Sequence, residues 1–123
     1  GRILVRGEYG HGIVDELAPV EGEVVIDKPG KGAFYSTDLE LVLRTRGIAN
    51  LIVCGVTTHV CVSTTIREAN DRGFDCLLLT DCSAAFDPAD HEATIHQINQ
   101  QGGIFGWTTA SDKVLEALAT QGA

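Results

Sequence analysis

The stretch Leu51-Ile52-Val53-Cys54-Gly55-Val56-Thr57-Thr58-His59-Val60-Cys61 decides how this chain is read. Its first four residues form an unbroken apolar run, as in a parallel strand covered on both faces. Gly55 then opens a tight polar segment. From Val60 to Arg72 the pattern is helical, with Gly73 placed to end the helix. The Cys61 thiol is therefore expected at the open end of a strand, over a helix N-terminus whose dipole and free N–H groups favour a thiolate. That is how a nucleophile is built. A merely packed, inert cysteine would not need the polar, glycine-led approach.

Upstream, the short β-branched run Glu23–Asp27 ends in Lys28. If it is a parallel neighbour in the same sheet, Lys28 and Cys61 leave the sheet on one edge, and an ammonium near the sulfur favours the thiolate further. Spacing alone would make Lys28 an ordinary solvated lysine; the partnership with Cys61 singles it out. Between the two strands, Thr37-Asp38-Leu39-Glu40 has the form of a capping box. Leu39, Val42 and Leu43 supply one apolar helical face, and Gly47 stands where that helix should stop. Before Glu23, the segment Gly10 to Pro19 reads as a loop with one helical turn.

Downstream, Cys76 to Thr80 reads as a strand, Asp81 to Pro88 as its exit loop, and Ala89 to Gln101 as a helix stopped by Gly102-Gly103. Ile104 to Trp107 reads as a last short strand. Ser111 is placed to cap a terminal helix with Val114, Leu115 and Leu118 as its buried stripe, and Arg67 can pair with Asp71 at i, i+4. Strands alternating with helices of this length imply right-handed crossovers and a parallel sheet with helices on both faces. The 123 residues suit one domain without internal boundaries.

Charge and composition exclude several classes of function. The net charge is −8, and the nine Lys and Arg residues are scattered, which argues against nucleic acid or an anionic membrane as partner. No apolar stretch approaches the roughly 20 residues that span a bilayer, and no basic-then-apolar leader opens the chain, so the cytoplasm is the default location. Cys54, Cys61, Cys76 and Cys82 form no C-x-x-C pair; apart from Cys61 they read as core or near-core thiols, and no disulfide framework is expected. His91 and His96 lie five apart, on different helical faces, so no metal site is expected.

Two phosphate-type signals are weaker. Lys28-Pro29-Gly30-Lys31-Gly32 lacks the Gly-Lys-Ser/Thr ending of a phosphate loop. Cys61 and Arg67 have the C-x-x-x-x-x-R spacing of cysteine phosphatases, but Val62-Ser63-Thr64-Thr65-Ile66 contains none of the glycine such a loop requires. A chain without methionine that enters directly on Gly1-Arg2-Ile3-Leu4-Val5 reads as one that begins mid-domain.

With Lys28 and Cys61 placed, the chain resembles the isochorismatase-like cysteine hydrolases. The resembling segments are Val25-Ile26-Asp27-Lys28, Gly32-Ala33-Phe34, Thr37-Asp38-Leu39, Arg46-Gly47-Ile48, Gly55-Val56-Thr57-Thr58, Val60-Cys61-Val62 and Arg67 to Gly73. The resemblance implies a three-layer α/β/α, Rossmann-like fold of order 3-2-1-4-5-6, of which residues 1–123 would be the C-terminal portion, lacking the first strands. Within the family, Arg6-Gly7-Glu8, Asp15-Glu16-Leu17, Asp27 to Tyr35 and Gln101 to Trp107 are most similar to the biuret amidohydrolases, with the ureidoacrylate amidohydrolases close behind.

By resemblance Cys61 is the nucleophile and Lys28 the lysine of a catalytic triad, while Lys31 and Gln101 match substrate-contacting positions. A cis peptide between Val56 and Thr57 would aim the Thr57 N–H, with that of Cys61, into an oxyanion hole. The implied reaction is hydrolysis of a small amide or ureido substrate without metal or organic cofactor, in a homo-oligomer, a tetramer by resemblance. Two departures stand out. The family's triad aspartate lies far upstream of the lysine and has no counterpart here: Asp15 falls in a loop, and Asp27 should point away from Lys28. His59 occupies a position where related enzymes often carry Asn, Asp or Glu. A reading of another class is a non-catalytic or assembly segment.

Overall fold

A computed structural model describes residues 1–122. After 3₁₀ turns at Tyr9–His11 and Asp15–Leu17, the elements are α1 (Leu39–Thr45), β1 (Asn50–Val56), a π-type turn (Thr58–Val62) leading into α2 (Ser63–Asp71), β2 (Asp75–Ala84), α3 (Pro88–Gly103), β3 (Trp107–Thr109) and α4 (Ser111–Gln121). The strands form one parallel sheet of order β1-β2-β3. This is the α/β architecture expected from the alternation of strands and helices.

The core lies between the sheet and α1, α2 and α3. Leu43, Val62, Ile66, Ala69 and Ile98 meet Cys76 and Leu78 of β2, and Phe34 and Phe74 close the end with ring centroids 5.7 Å apart. Alternation along β1 sends Leu51 and Val53 toward this core and leaves Ile52, Cys54 and Val56 exposed. The fourth helix packs on β2 outside that cluster. The end of α2 follows the sequence closely. Gly73 sits in the left-handed region (φ 83°), its N–H bonds Asn70 O at 3.0 Å, and the following Phe74 N–H bonds Ala69 O at 3.0 Å. This Schellman closure turns the chain so that Phe74 enters the core. Gly47 ends α1 in the same way. Among the described residues no helix is long and apolar enough to cross a membrane.

Several expectations are corrected. Glu23–Asp27 is not a strand. Strands exist by virtue of ladder hydrogen bonds, and this segment is separated from β1 by a groove of about 630 Å³ lined by Val24, Val25, Val42, Ile48 and Ile52. The capping box does not close: Thr37 Oγ1 accepts from Leu39 N at 3.3 Å, but Glu40 turns to Arg44 and Arg72 instead, where two guanidiniums outcompete one backbone N–H. The second strand runs beyond Thr80 to Ala84. Its pairing moves from Val53↔Leu78 to Gly55↔Ser83, so the residues between bulge out and the expected exit loop is partly strand.

The third strand begins at Trp107, later than Ile104. Phe105 N–H bonds Ile98 O, and at Gly106 (φ 133°) the backbone presses so closely on Cys76 O that a Cβ would collide with it. Helix α3 starts one residue earlier than expected, with Asp87 capping Ala89 N at 2.9 Å and Pro88 at its first position. Ser111 does not cap α4: its N–H and hydroxyl both donate to Asp81 in the β2 bulge, at 2.8 and 2.6 Å. Leu115 and Leu118 are exposed rather than buried. Arg67 ignores Asp71 and lies 4.0 Å over the Phe105 ring, and Cys54 and Cys82 are exposed, leaving Cys76 as the buried thiol.

Candidate active site

At the carboxyl end of β1 the chain leaves the sheet at Val56, the Val56–Thr57 peptide bond is cis, and Thr57 O accepts from both Val60 N and Val62 N as the π-type turn winds up. Cys61 lies in that turn, half-buried, and its sulfur faces one charged group. Lys28 Nζ is 3.4 Å from Cys61 Sγ, 2.8 Å from Gly30 O and 3.0 Å from Lys31 O. An ammonium has three protons. Two are taken by backbone carbonyls of its own loop and the third is aimed at the sulfur, so a flexible side chain is held as a fixed charge beside the thiol.

The loop that carries Lys28 is tied to α2, the helix that follows the Cys61 turn. Ala33 N–H donates to Thr65 Oγ1 at 3.1 Å, and Gly32 lies so close under the Glu68 carboxylate that any Cβ there would strike it. Thus α2 seats the Lys28 loop while the turn leading into α2 carries the thiol, although the Lys28 segment joins no strand. Asp27 pairs with Arg6 at 3.0 Å, away from Lys28, and among the described residues no carboxylate forms an ion pair with Lys28. Asp15 is engaged by the Tyr9 hydroxyl at 3.5 Å.

Lys31 contributes its carbonyl to the Lys28 cradle while its side chain stays exposed. Gln101 is elsewhere. It occupies a left-handed turn (φ 54°) at the far end of α3, a helix that starts beside the π-type turn and runs back along the sheet. From His91 to Asn99 that is about 12 Å of helix, so within one protomer Gln101 stands at the opposite rim from Cys61. His59 is partly exposed, with Nε2 3.7 Å from Asp90 Oδ2. The phosphatase geometry is not formed, since residues 61–67 are helical and the Arg67 guanidinium stacks on Phe105. Among the described residues no group of three or more His, Cys, Asp or Glu could hold a metal ion.

The sequence reading missed Thr58, Ser83 and His91. Thr58 is fully buried directly after the cis peptide. Its Oγ1 is 2.8 Å from Ser83 Oγ and 2.8 Å from His91 Nδ1, and Ser83 Oγ donates to Gly55 O at 2.9 Å. The polar character of residues 57–58 was a signal for Thr58. Nothing in spacing pointed to Ser83 or His91, which come from two other elements.

The fold is thus a parallel α/β sheet with a cysteine and a lysine brought together beyond the carboxyl end of β1. The chain belongs to the isochorismatase family: the family model described as Isochorismatase domain matches residues 1–111. It is 34% identical over 110 residues to the ureidoacrylate amidohydrolase RutB of Azorhizobium caulinodans, a match covering 89% of this chain and 47% of that protein. Its structure is similar to an isochorismatase-like hydrolase from Alkaliphilus metalliredigens (TM-score 0.88, 29% identity, 95% of this chain and 62% of that one). It is also similar to N-carbamoylsarcosine amidase from Thermoplasma acidophilum (TM-score 0.78, 27% identity, 91% and 62%). The chain spans about half the length of the curated relatives it matches.

Proposed function

We propose that this chain carries the nucleophile and the activating cation of a cysteine amidohydrolase that opens a C–N bond in a small amide or ureido compound. The observation that carries this reading is the Lys28 Nζ to Cys61 Sγ distance of 3.4 Å, with the other two ammonium protons held by Gly30 and Lys31 carbonyls. In the proposed reaction Cys61 loses its proton to a carboxylate, and the thiolate adds to the substrate carbonyl. The tetrahedral oxyanion is stabilised by the N–H groups of Thr57 and Cys61, each worth about 3 kcal/mol in comparable sites. Collapse breaks the C–N bond as the nitrogen takes the proton and leaves as ammonia. Water then cleaves the thioester and restores the thiol.

The carboxylate is proposed to come from outside these 123 residues, since the candidate acids here are turned to other partners and the relatives are about twice as long. Biuret, giving allophanate, is the substrate favoured by the local resemblances around Lys28 and Gln101. Ureidoacrylate is the second, favoured by the similarity to RutB. Substrate-contacting roles for Lys31 and Gln101 belong to the same proposal. Because Gln101 stands at the far rim, it would serve the site of a neighbouring protomer in a homo-oligomer.

The test is ammonia release from biuret and from ureidoacrylate by the complete protein. Cys61→Ala and Cys61→Ser should lose nearly all turnover while circular dichroism stays unchanged. Full ammonia release by either variant would refute the nucleophile assignment. A folded wild-type protein inert toward both compounds would favour a non-catalytic, assembly role.

A further inference from the structure

Thr58, Ser83, His91 and Gly55 form one connected chain of contacts around the Val56–Thr57 peptide. Three close contacts need three protons: His91 Nδ1 to Thr58 Oγ1 at 2.8 Å, Thr58 Oγ1 to Ser83 Oγ at 2.8 Å, and Ser83 Oγ to Gly55 O at 2.9 Å. The two hydroxyls supply one proton each, and the Gly55 carbonyl can only accept. The third must therefore sit on His91 Nδ1, which also fixes every direction: His91 donates to Thr58, Thr58 to Ser83, and Ser83 to Gly55. Reversing the histidine tautomer would leave two lone pairs facing each other at hydrogen-bond distance beside a fully buried oxygen, an arrangement that costs the desolvation of an unsatisfied group.

We propose that His91 is held as its Nδ1–H tautomer and is a positioning residue: through Thr58 and Ser83 it clamps both sides of the 56–57 peptide, and so sets where the Thr57 backbone stands relative to Cys61. The clamp joins three elements. Gly55 belongs to β1, Ser83 to the end of β2, and His91 to the first turn of α3, so the segment before the thiol is fixed from outside its own strand. The catalytic part of this inference rests on the amidohydrolase reading; the proton order does not.

Two measurements test it. The first is two-bond ¹H–¹⁵N correlation of the imidazoles in the wild-type full chain, where neutral His91 should show a protonated Nδ1 and an unprotonated Nε2. The opposite tautomer overturns the proposal. The second uses variants in the complete protein. His91→Ala should lower kcat about 10²-fold with KM nearly unchanged, as expected for misplacement of a group near the reacting atoms. His91→Asn, whose amide nitrogen can take the place of Nδ1, should recover most of that loss. An unaltered kcat in His91→Ala, or no recovery in a folded His91→Asn, overturns the positioning role. Absence of hydrolysis in the wild type together with the Nδ1–H form would sink the amidohydrolase reading while supporting the proton order.

Discussion

The four thiols meet three kinds of surroundings, and that decides which of them can react. Cys76 is buried on β2, where desolvation first and the neighbouring Asp75 charge second push its pKa up to about 11. Cys54 and Cys82 are exposed, and among the described residues neither sulfur is hydrogen-bonded by a Lys or Arg side chain. Cys61 has the Lys28 ammonium fixed at 3.4 Å. Mass-resolved alkylation with iodoacetamide at neutral pH should modify Cys61 first, Cys54 and Cys82 more slowly, and Cys76 only on unfolding. Lys28→Ala should slow the Cys61 reaction roughly tenfold, because the ammonium fixed 3.4 Å from the sulfur is removed. An unchanged rate would remove Lys28 from the chemistry. Lys28 and Cys61 were legible as candidates because each follows a strand-like apolar run, although the run before Lys28 forms no strand. The His91 chain was not, because its members meet only after β2 has bulged and α3 has folded back.

At the scale of elements, local signals worked where one residue type satisfies a backbone need by itself. Gly73 and Gly47 close α2 and α1 in left-handed conformations that cost other residues about 1 kcal/mol or more. Gly73→Ala should therefore lower the urea midpoint by the equivalent of about 1 kcal/mol without changing the m-value. Local signals failed where a distant partner offered a stronger bond. Ser111 looks like a cap, yet it is Asp81 that receives the Ser111 N–H and hydroxyl, and those hydrogen bonds hold the Asp81 carboxyl below its ordinary value of 3.8. A depressed carboxylate stabilises the fold fully above its unfolded-state value and loses that contribution as pH falls through the folded-state value. Helical ellipticity should thus decline on acidification below 3.8, and Asp81→Asn should abolish that acid-dependent part; an identical acid profile for the variant would exclude the link between the bulge and α4.

For the whole molecule, the decisive feature is that β1 is an edge strand whose outer side faces a groove rather than a neighbour. Ile52 and Val56 are 55% and 69% exposed on it, and Leu115 and Leu118 add further exposed apolar surface. Unpaired edges and apolar patches of this kind drive association. Sedimentation velocity of the 123-residue chain should show concentration-dependent self-association, reduced by Ile52→Lys, which places a charge on the exposed strand face. A strictly monomeric chain across the concentration range would show that this surface is tolerated by solvent.

The sequence by itself determined the parallel α/β alternation and the glycine-closed helices, which follow from periodicity and from a residue whose conformational preference acts locally. It pointed to Lys28 and Cys61 as partners, but through a strand that does not form, and loop contacts to α2 bring them together instead. Only the tertiary structure decided that Glu23–Asp27 forms no ladder, that Gln101 stands at the far rim, that α4 is tied to Asp81, and that Gly55, Thr58, Ser83 and His91 share one set of protons. Hydrogen bonds between elements depend on register, bulges and helix direction. A bulge of a few residues in β2 is enough to change which side chains meet, and no local pattern records it.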